Sequence, residues 1–414
     1  MLHNGQMRVK IHRGSNEIGG SCVEIESEDV RILVDAGMPL NLPIGQDPVP
    51  PEIDSKSLCA IVISHPHLDH YGLLPWMPAK PIAMGMAARR IAQAAAPFMP
   101  NLPASLLGPD LEDRKPIQIG PFKITPYLVD HSAYDAYALM IEADNKKLFY
   151  SGDFRAHGRK SKLFDWFISS PPTGIDTLLL EGTTIGRNGP EFSPLTEDEL
   201  GDEFVNVFKS TKGLALVNVS AQNIDRMVTI FRACIKTGRS LVIDLYTAEI
   251  LAATESLNIP QSHWEKIHLC IPHRQRIQIK KNSWFDKLNK HSVNRIFPKT
   301  IAADPSRYTL IFRSLWMTDL DKAECLDGAS LIHSQWEGYL RQESFQLIEK
   351  WREVHGISFH QVHTSGHASP ADLRRFATAV SAKALVPIHT NSPERYDELY
   401  SNVICHPDGE WWNV

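Results

Sequence analysis

The sequence predicts an α/β protein built as two domains, or as one domain carrying a large insertion, on three observations. The chain has 414 residues, too many for one small core. Short apolar runs bounded by turn residues, the pattern of buried strands, recur from Met7 to Leu180. After Glu181 the texture changes, and strand-like runs alternate with helical spacing as in βαβ units.

Taken in order, Met7–His12 alternates as a strand, Gly19-Gly20 interrupts it, and strands follow at Cys22–Glu26 and Val30–Val34, the last closing on Asp35. Pro39–Pro51 has loop chemistry, and Cys59–Ser64 is an apolar run short enough for a buried strand. Helical spacing marks Met84–Ala96. Further strands are predicted at Phe122–Val129, Ala136–Ile141, Lys147–Ser151 and Thr177–Leu180. Beyond Glu181, strands at Leu214–Val219 and Ser240–Asp244 alternate with helices at Asn223–Lys236 and Ala248–Leu257, and this region runs to about Gly356. A strand, a helix and a strand then return at Ser358–Val362, Ala371–Val380 and Ala384–Ile388. The domain expectation is therefore a first part at 1–185, an insertion at 186–356 and a return segment at 357–414.

Composition narrows the function classes. Apolar residues make up 43% and charged residues 22%, which is ordinary globular usage. The first twenty residues hold no apolar run for a signal peptide, and no stretch approaches eighteen apolar residues, so a soluble cytoplasmic protein without a membrane partner is expected. Six cysteines are scattered with no C-x-x-C pair, which argues for reduced thiols and against a disulfide framework or a cysteine zinc knuckle. With 18 histidines, any bound metal is held by imidazole and carboxylate, which suits zinc or manganese. A net charge of −5 gives no global basic field. Locally, Arg274 to Lys299 holds eight Lys/Arg against the single acid Asp286, while Asn188 to Phe208 holds six acids and no base. The plain reading of either run is a solvated face. The functional reading makes Arg274, Arg276, Lys280 and Lys281 nucleic-acid contacts, with Trp284 and Phe285 available for base stacking.

The strongest signal is Ser64-His65-Pro66-His67-Leu68-Asp69-His70. His65 and His67 leave the end of an apolar strand one residue apart, so both imidazoles can point the same way, and Asp69 and His70 can face a second ion from the following turn. The bland alternative is a polar loop rich in histidine by accident. Four ligands do not complete two sites, and three further candidates each stand just past a predicted strand: His131 after ITPYLVD, Asp153 after KLFYSG, and Asp35 after RILV. Singly each reads as an ordinary strand-end residue; in this order behind H-x-H-x-D-H they read together as a metal site.

Asp35, the His65–His70 block, His131 and Asp153 resemble the four successive metal-site motifs of the metallo-β-lactamase superfamily. The resemblance implies an αββα sandwich with two divalent ions, zinc with manganese as the alternative, at one rim. It implies that His65, His67 and His131 hold the first ion, Asp69 and His70 the second, with Asp153 bridging and Asp35 orienting a ligand. Glu181 in LLLEGTT, His367 in VHTSGHA and His389 in VPIHT resemble the additional motifs of the β-CASP nucleases, the branch containing ribonuclease J, the pre-mRNA 3′-end endonuclease and Artemis, with ribonuclease J the nearest in texture. That branch implies an inserted α/β domain, a phosphodiester hydrolase, His367 as the acid with Glu181 orienting it, Asp69 in the catalytic set, and His389 completing the second ion's shell. His363 and Ser365 are expected to grip a phosphate, with loop hydrogen bonds as the plain alternative. His389 favours RNA over DNA, because the DNA-cleaving branch tends to carry valine there, and the ribonuclease J likeness implies 5′-exonuclease activity, endonuclease activity or both.

Two departures stand out. The sequence stops soon after the last motif, so the expectation is that it lacks the separate C-terminal domain that helps ribonuclease J dimerise, which leaves homo-oligomerisation open. Thr390 also stands where a glycine commonly follows the last histidine. The rival functions are a DNA nuclease of the same branch, a metallo-hydrolase acting on a small ester, thioester or lactam, and a metal-free scaffold. The long insertion and extra motifs weigh against the small-molecule hydrolase, and the full ligand set weighs against the scaffold.

Overall fold

The computed structural model describes residues 6–42, 46–99, 101–103, 105–187, 189 and 192–414. Part of the predicted Pro39–Pro51 loop, and Asn188 and Glu191 of the acidic run, lie outside the described residues. Two compact units emerge, Met1–Pro194 with Gly366–Val414, and Leu195–Ser365.

In the first unit, apolar alternation produces two sheets that bury one face against each other. One sheet has the order Trp411–Asn413, Arg8–Arg13, Cys22–Ser27, Val30–Val34, Leu58–Val62, Ile82–Gly85 and Asp110–Leu111. The other has the order Ala384–Ile388, Thr177–Glu181, Lys146–Tyr150, Ala136–Ala143, Phe122–Val129 and Ile117–Ile119. Val9, Ile25 and Val62 from the first sheet and Phe122, Leu139, Leu148 and Leu179 from the second form one continuous buried cluster. The opposite face of the first sheet buries Leu33, Ile61 and Met84 against Ala88 and Ala92 of the helix Met86–Ala95. The opposite face of the second buries Phe149 and Leu178 against Phe164 and Phe167 of Lys162–Ser169 and Phe376 of Pro370–Val380. Helix, sheet, sheet and helix make the αββα sandwich that the resemblance implies.

Register explains where the motifs land. Val30–Val34 and Leu58–Val62 pair in parallel, and so do Lys146–Tyr150, Thr177–Glu181 and Ala384–Ile388. Phe122–Val129 runs the same way as Lys146–Tyr150, because two antiparallel pairings separate them. Asp35, Ser64, His131, Asp153, Glu181 and His389 therefore all sit at the C-terminal ends of their strands. Two glycines permit the close approach. Gly152 has φ +53°, and a Cβ there would lie 2.8 Å from the Tyr137 carbonyl oxygen. A Cβ on Gly37 would lie 1.8 Å from the Asp69 carbonyl oxygen.

The second unit is a parallel sheet in the order Ile267–Leu269, Ser240–Ile243, Tyr308–Phe312, Ala215–Asn218, Ser330–His333 and Ser358–Gln361. Ala215–Asn218, Ser240–Ile243, Tyr308–Phe312 and Ser330–His333 are buried along their whole length, as strands covered on both faces must be. Helix Glu197–Ser210 opens on a capping box, Thr196 with Glu199, and Ile224–Thr237 ends at Gly238 with φ 75°. No helix among the described residues is long and apolar enough to cross a membrane.

Three readings of the sequence need correction. Ser358–Gln361 pairs in parallel with Ser330–His333 and belongs to the second unit, not to the return segment; its short polar run gave no sign of which sheet it joins. The run predicted as one helix at Met84–Ala96 is a strand, Ile82–Gly85, turning directly into Met86–Ala95. Trp411–Asn413, unassigned in the sequence, is an edge strand pairing antiparallel with Arg8, Val9 and Lys10.

The basic segment folds as helices His273–Lys281 and Phe285–Lys290, tied down by Glu249 of helix Leu245–Ala253. Glu249 lies 2.9 Å from Lys287 Nζ and 2.7 Å from His291 Nε2, and His291 Nδ1 is 2.7 Å from Ser262 Oγ. Burial opposes ionisation of Glu249, but the bonds from His291 and Lys287 outweigh it and hold its pKa down to about 2, against 4.5 unperturbed. A carboxylate with a depressed folded pKa stabilises fully above its unfolded pKa and loses that contribution as pH falls. Glu249→Gln is expected to lower stability by about 1–2 kcal/mol near pH 6, solvent at the lysines being allowed for. The gap from the parent should narrow between pH 4.5 and pH 2. Urea midpoints at pH 6 and pH 3 check this; a gap independent of pH would contradict it.

Candidate metal centre

The site is built at the rim where the strand ends meet. Leu58–Val62 leads to Ser64 and His65, and His67 then opens the single turn Leu68–Tyr71 that carries Asp69 and His70. His131, Asp153 and His389 enter from the second sheet. Ligand atoms of His65, His67 and His131 lie within 4.8 Å of one another, and so do those of His65, His70 and Asp153, of Asp69, His70 and His389, and of Asp153, His367 and His389. Every residue expected to bind metal is therefore drawn into one cluster, and His367 joins it.

Hydrogen bonds orient the rings. His131 Nδ1 donates to the Gly366 carbonyl at 2.7 Å, which leaves Nε2 facing His67 Nδ1 at 3.2 Å. Asp35 is wholly buried and is not among the converging ligand atoms. It accepts from the Ser64 amide at 2.7 Å, the Ser64 hydroxyl at 2.8 Å, the Tyr150 hydroxyl at 2.8 Å and His70 Nδ1 at 2.7 Å. The last bond turns His70 Nε2 toward Asp153 Oδ2, 3.0 Å away. Ser21 Oγ lies 2.9 Å from His389 Nδ1, and His389 Nε2 lies 3.9 Å from Asp69 Oδ2.

Electrostatics suits cation binding. Burial, reinforced by neighbouring imidazoles, holds His65 and His131 well below the usual histidine range. Burial likewise lowers His67 to about 4 and depresses His389. In all four the environment favours the neutral ring, which carries a lone pair. Burial also opposes charge on His70, but Asp153, Asp35 and Asp69 outweigh it and raise its pKa. A divalent cation can replace the proton that His70 holds against Asp153. His65 Nε2, His389 Nε2 and Asp153 Oδ1 are buried with no hydrogen-bond partner among the described residues. Neutral imidazoles, carboxylates and unsatisfied inward atoms fit divalent cations with nitrogen and oxygen donors.

His367 Nδ1 lies 3.5 Å from Glu181 Oε2 and 3.8 Å from Asp153 Oδ2. Burial disfavours its charged form, but Glu181 and then Asp153 outweigh burial and raise its pKa. Glu181 is itself fixed, accepting from the Thr183 amide at 3.0 Å.

The remaining predicted residues lie in the second unit. Burial, with Arg226 and His333 adding to it, lowers His363 to about 3, so it presents a neutral imidazole, and Ser365 is half-buried on the same loop. Arg274, Lys280 and Lys281 are exposed on helix His273–Lys281, while Arg276 pairs with Asp319 at 3.1 Å. Sequence reading missed Ser21 and Tyr150. Each touches a partner more than a hundred positions away, and the only local signal was Tyr150 standing three residues before Asp153.

Known proteins resemble this chain in sequence and in fold. Residues 16–194 match the model of the metallo-β-lactamase superfamily. Ribonuclease J of Helicobacter pylori (strain ATCC 700392 / 26695) is 22% identical over 93% of this chain and 56% of its own length. An RNase J-like protein of Methanocaldococcus jannaschii is 29% identical over 42% of each chain. The chain spans about half the length of the curated relatives it matches. A crystal structure of a protein of unknown function from Enterococcus faecalis V583 superposes with a TM-score of 0.79 at 21% identity, covering 99% of this chain and 100% of that one, a likeness of fold. With its motif residues gathered at the rim of an αββα sandwich, this chain carries a segment, 16–194, that matches the metallo-β-lactamase superfamily, and it is similar to ribonuclease J over 93% of its residues.

Proposed function

We propose that this protein is a two-metal phosphodiesterase that cleaves RNA, zinc being the favoured ion and manganese the alternative. The observation that carries the reading is the convergence of ligand atoms from His65 to His389 into overlapping groups of three that share Asp153, His65, His70 and His389. His65, His67 and His131 would hold one cation, Asp69, His70 and His389 the other, and Asp153 would be shared by both. When bound, the two cations draw in the scissile phosphate and lower the pKa of water.

The chain's own residues supply the rest. His367 is the proton donor to the leaving oxygen: the Glu181 carboxylate, 3.5 Å from its Nδ1, favours the charged ring and aims it. Glu181 is 1% exposed, so it stays beside the imidazole instead of turning to solvent. His363 and Ser365 would hydrogen-bond a flanking phosphate, with His363 acting as a neutral group. Arg274, Lys280 and Lys281 would hold RNA phosphates farther along the strand, and Arg276, which keeps Asp319 company, would contribute less. RNA is favoured over DNA by His389 and by the ribonuclease names of the relatives. The likeness to ribonuclease J supports 5′-exonuclease cleavage, endonuclease cleavage or both.

The deciding experiment offers labelled RNA and DNA with 5′-monophosphate or 5′-triphosphate ends. Degradation of monophosphorylated RNA alone supports the full proposal, DNA cleavage alone overturns the substrate, and activity surviving Asp69→Asn overturns the site. His367→Ala should cut the cleavage rate by about 10²–10⁴-fold. Metal analysis should show cation content unchanged in that variant; loss of a cation would make His367 a ligand instead. Replacing Arg274, Lys280 and Lys281 by alanine should weaken RNA binding and reduce the slope of log affinity against log salt by about 0.7 for each phosphate left without its cation. An unchanged slope would remove that surface from the binding path.

A further inference from the structure

The segment that carries His363 and Ser365 continues from the strand Ser358–Gln361 with alternating burial. Val362 and Thr364 are buried, while His363 and Ser365 are half-buried. A period of two is the mark of extended chain, in which residues i and i+2 share one side. Hydrogen bonds grip the inward pair. The Val362 amide donates to the His333 carbonyl at 3.0 Å, and the Val362 carbonyl accepts from the Ser334 hydroxyl at 2.6 Å. The Thr364 hydroxyl donates to the Leu195 carbonyl at 2.6 Å, and the Thr364 carbonyl accepts from Arg226 Nη2 at 3.3 Å. On the other pair, His363 Nδ1 has no hydrogen-bond partner among the described residues.

Arg226, on the first turn of helix Ile224–Thr237, is wholly buried and stands where these bonds meet. A guanidinium carries five N–H donors in a fixed planar fork. Nε lies 3.3 Å from both carboxylate oxygens of Glu197, and Nη2 divides its donors between Glu197 Oε1 at 3.1 Å and the Thr364 carbonyl. Nη1 donates to the Ser334 carbonyl at 3.3 Å and to the Ser334 hydroxyl. All five donors therefore have acceptors in the protein. Glu197 is 2% exposed and also accepts from the Thr229 hydroxyl at 2.6 Å, so it neutralises the buried cation and fixes the plane of the fork. A lysine ammonium, a point charge with three donors, cannot reproduce this set.

We propose that Arg226, braced by Glu197, is a positioning residue for phosphate recognition: it ties the loop at Ser334 to the segment at Thr364 and so holds His363 and Ser365 in the arrangement that one RNA phosphate requires. This rests on the reading above in which those two side chains hydrogen-bond a flanking phosphate. Arg226 acts through them, its own donors being committed within the protein. Without the fork, the Ser334 hydroxyl and the Thr364 carbonyl lose their shared donor, and His363 and Ser365 no longer have a fixed base.

The test measures steady-state cleavage of labelled RNA by wild type, Ser334→Ala, Arg226→Lys, the pair variant His363→Ala with Ser365→Ala, and that pair with Ser334→Ala added. Ser334→Ala removes one oxygen, which cuts its links to Arg226 Nη1 and to the Val362 carbonyl and leaves the Arg226–Glu197 pair in place. Ser334→Ala and Arg226→Lys should each raise KM about 10–100-fold, the scale of one hydrogen bond to a charged group. Because a flanking phosphate is held alike in the ground state and the transition state, kcat should change little. In the pair variant, adding Ser334→Ala should raise KM no further, since it acts only through the groups already removed. Hydrogen exchange of residues 358–365 should quicken in Ser334→Ala and Arg226→Lys while the strand Ala215–Asn218 exchanges as in wild type. Ser334→Ala carries the test alone if Arg226→Lys does not fold. A wild-type KM in Ser334→Ala, a full further loss in the pair variant, or unchanged exchange of 358–365 would overturn the proposal. A wild type that cleaves no RNA, or a pair variant with the KM of wild type, would overturn the phosphate reading instead, and the exchange data would still judge whether Arg226 and Ser334 hold the segment.

Discussion

Unsatisfied polarity inside the fold is the constraint around which the first unit is arranged. Two ring nitrogens, His65 Nε2 and His389 Nε2, and the carboxylate oxygen Asp153 Oδ1 are buried with nothing in the described protein to bond them. Such a group costs about 1–3 kcal/mol for as long as no cation satisfies it. Backbone strain adds to this: Asp35 and His389 adopt φ values of 59° and 51°, a region that side chains other than glycine rarely visit. These costs fall on the residues that chemistry needs. They are offset by the apolar layers on either side of each sheet, so the core stabilises a site that its own side chains would otherwise open.

The rim can gather these groups only because of strand direction. Had Phe122–Val129 followed Lys146–Tyr150 with one antiparallel step between them instead of two, His131 would emerge at the opposite end of the sheet from Asp153. The side-chain period of two adds a second condition, since a one-residue slip would turn a ligand into the core. Gly37 and Gly152 then remove the last steric obstacle, letting the Asp35 turn pack on the Asp69 backbone and the Asp153 turn pack on Tyr137.

The cluster was legible in the sequence where ligands are neighbours or end an apolar run. His65, His67, Asp69 and His70 announce themselves within six positions, and His131, Asp153 and His389 each close a strand of clear apolar character. Ser21 and Tyr150 were not legible. A serine after two glycines and a tyrosine at a strand end are common, and their meaning lies in bonds spanning 368 and 115 positions. The same limit explains the fold differences. Ser358–Gln361 has two exposed and two half-buried residues, so no apolar run tied it to the second unit's sheet. Trp411–Asn413 is a three-residue edge strand, too short for alternation to show.

The basic run shows why charge read from sequence overstates a surface. Of its eight cations, Lys287 and Lys290 lean on Glu249, and Arg276 leans on Asp319. These three hold helices together, and their fields are largely cancelled by the carboxylates they face. Arg295 lies over the Phe297 ring, 5.2 Å from its centroid, where the guanidinium keeps its charge but gains a fixed place. Arg274, Lys280 and Lys281 remain on one exposed helix with no ion pair among the described residues. A flexible polyanion gains most from cations that are spaced along a rigid element and not already neutralised. The helix meets both conditions, because Asp319 accepts from the His273 amide and from Arg276 and so fixes it, while Arg274, Lys280 and Lys281 stay exposed along it.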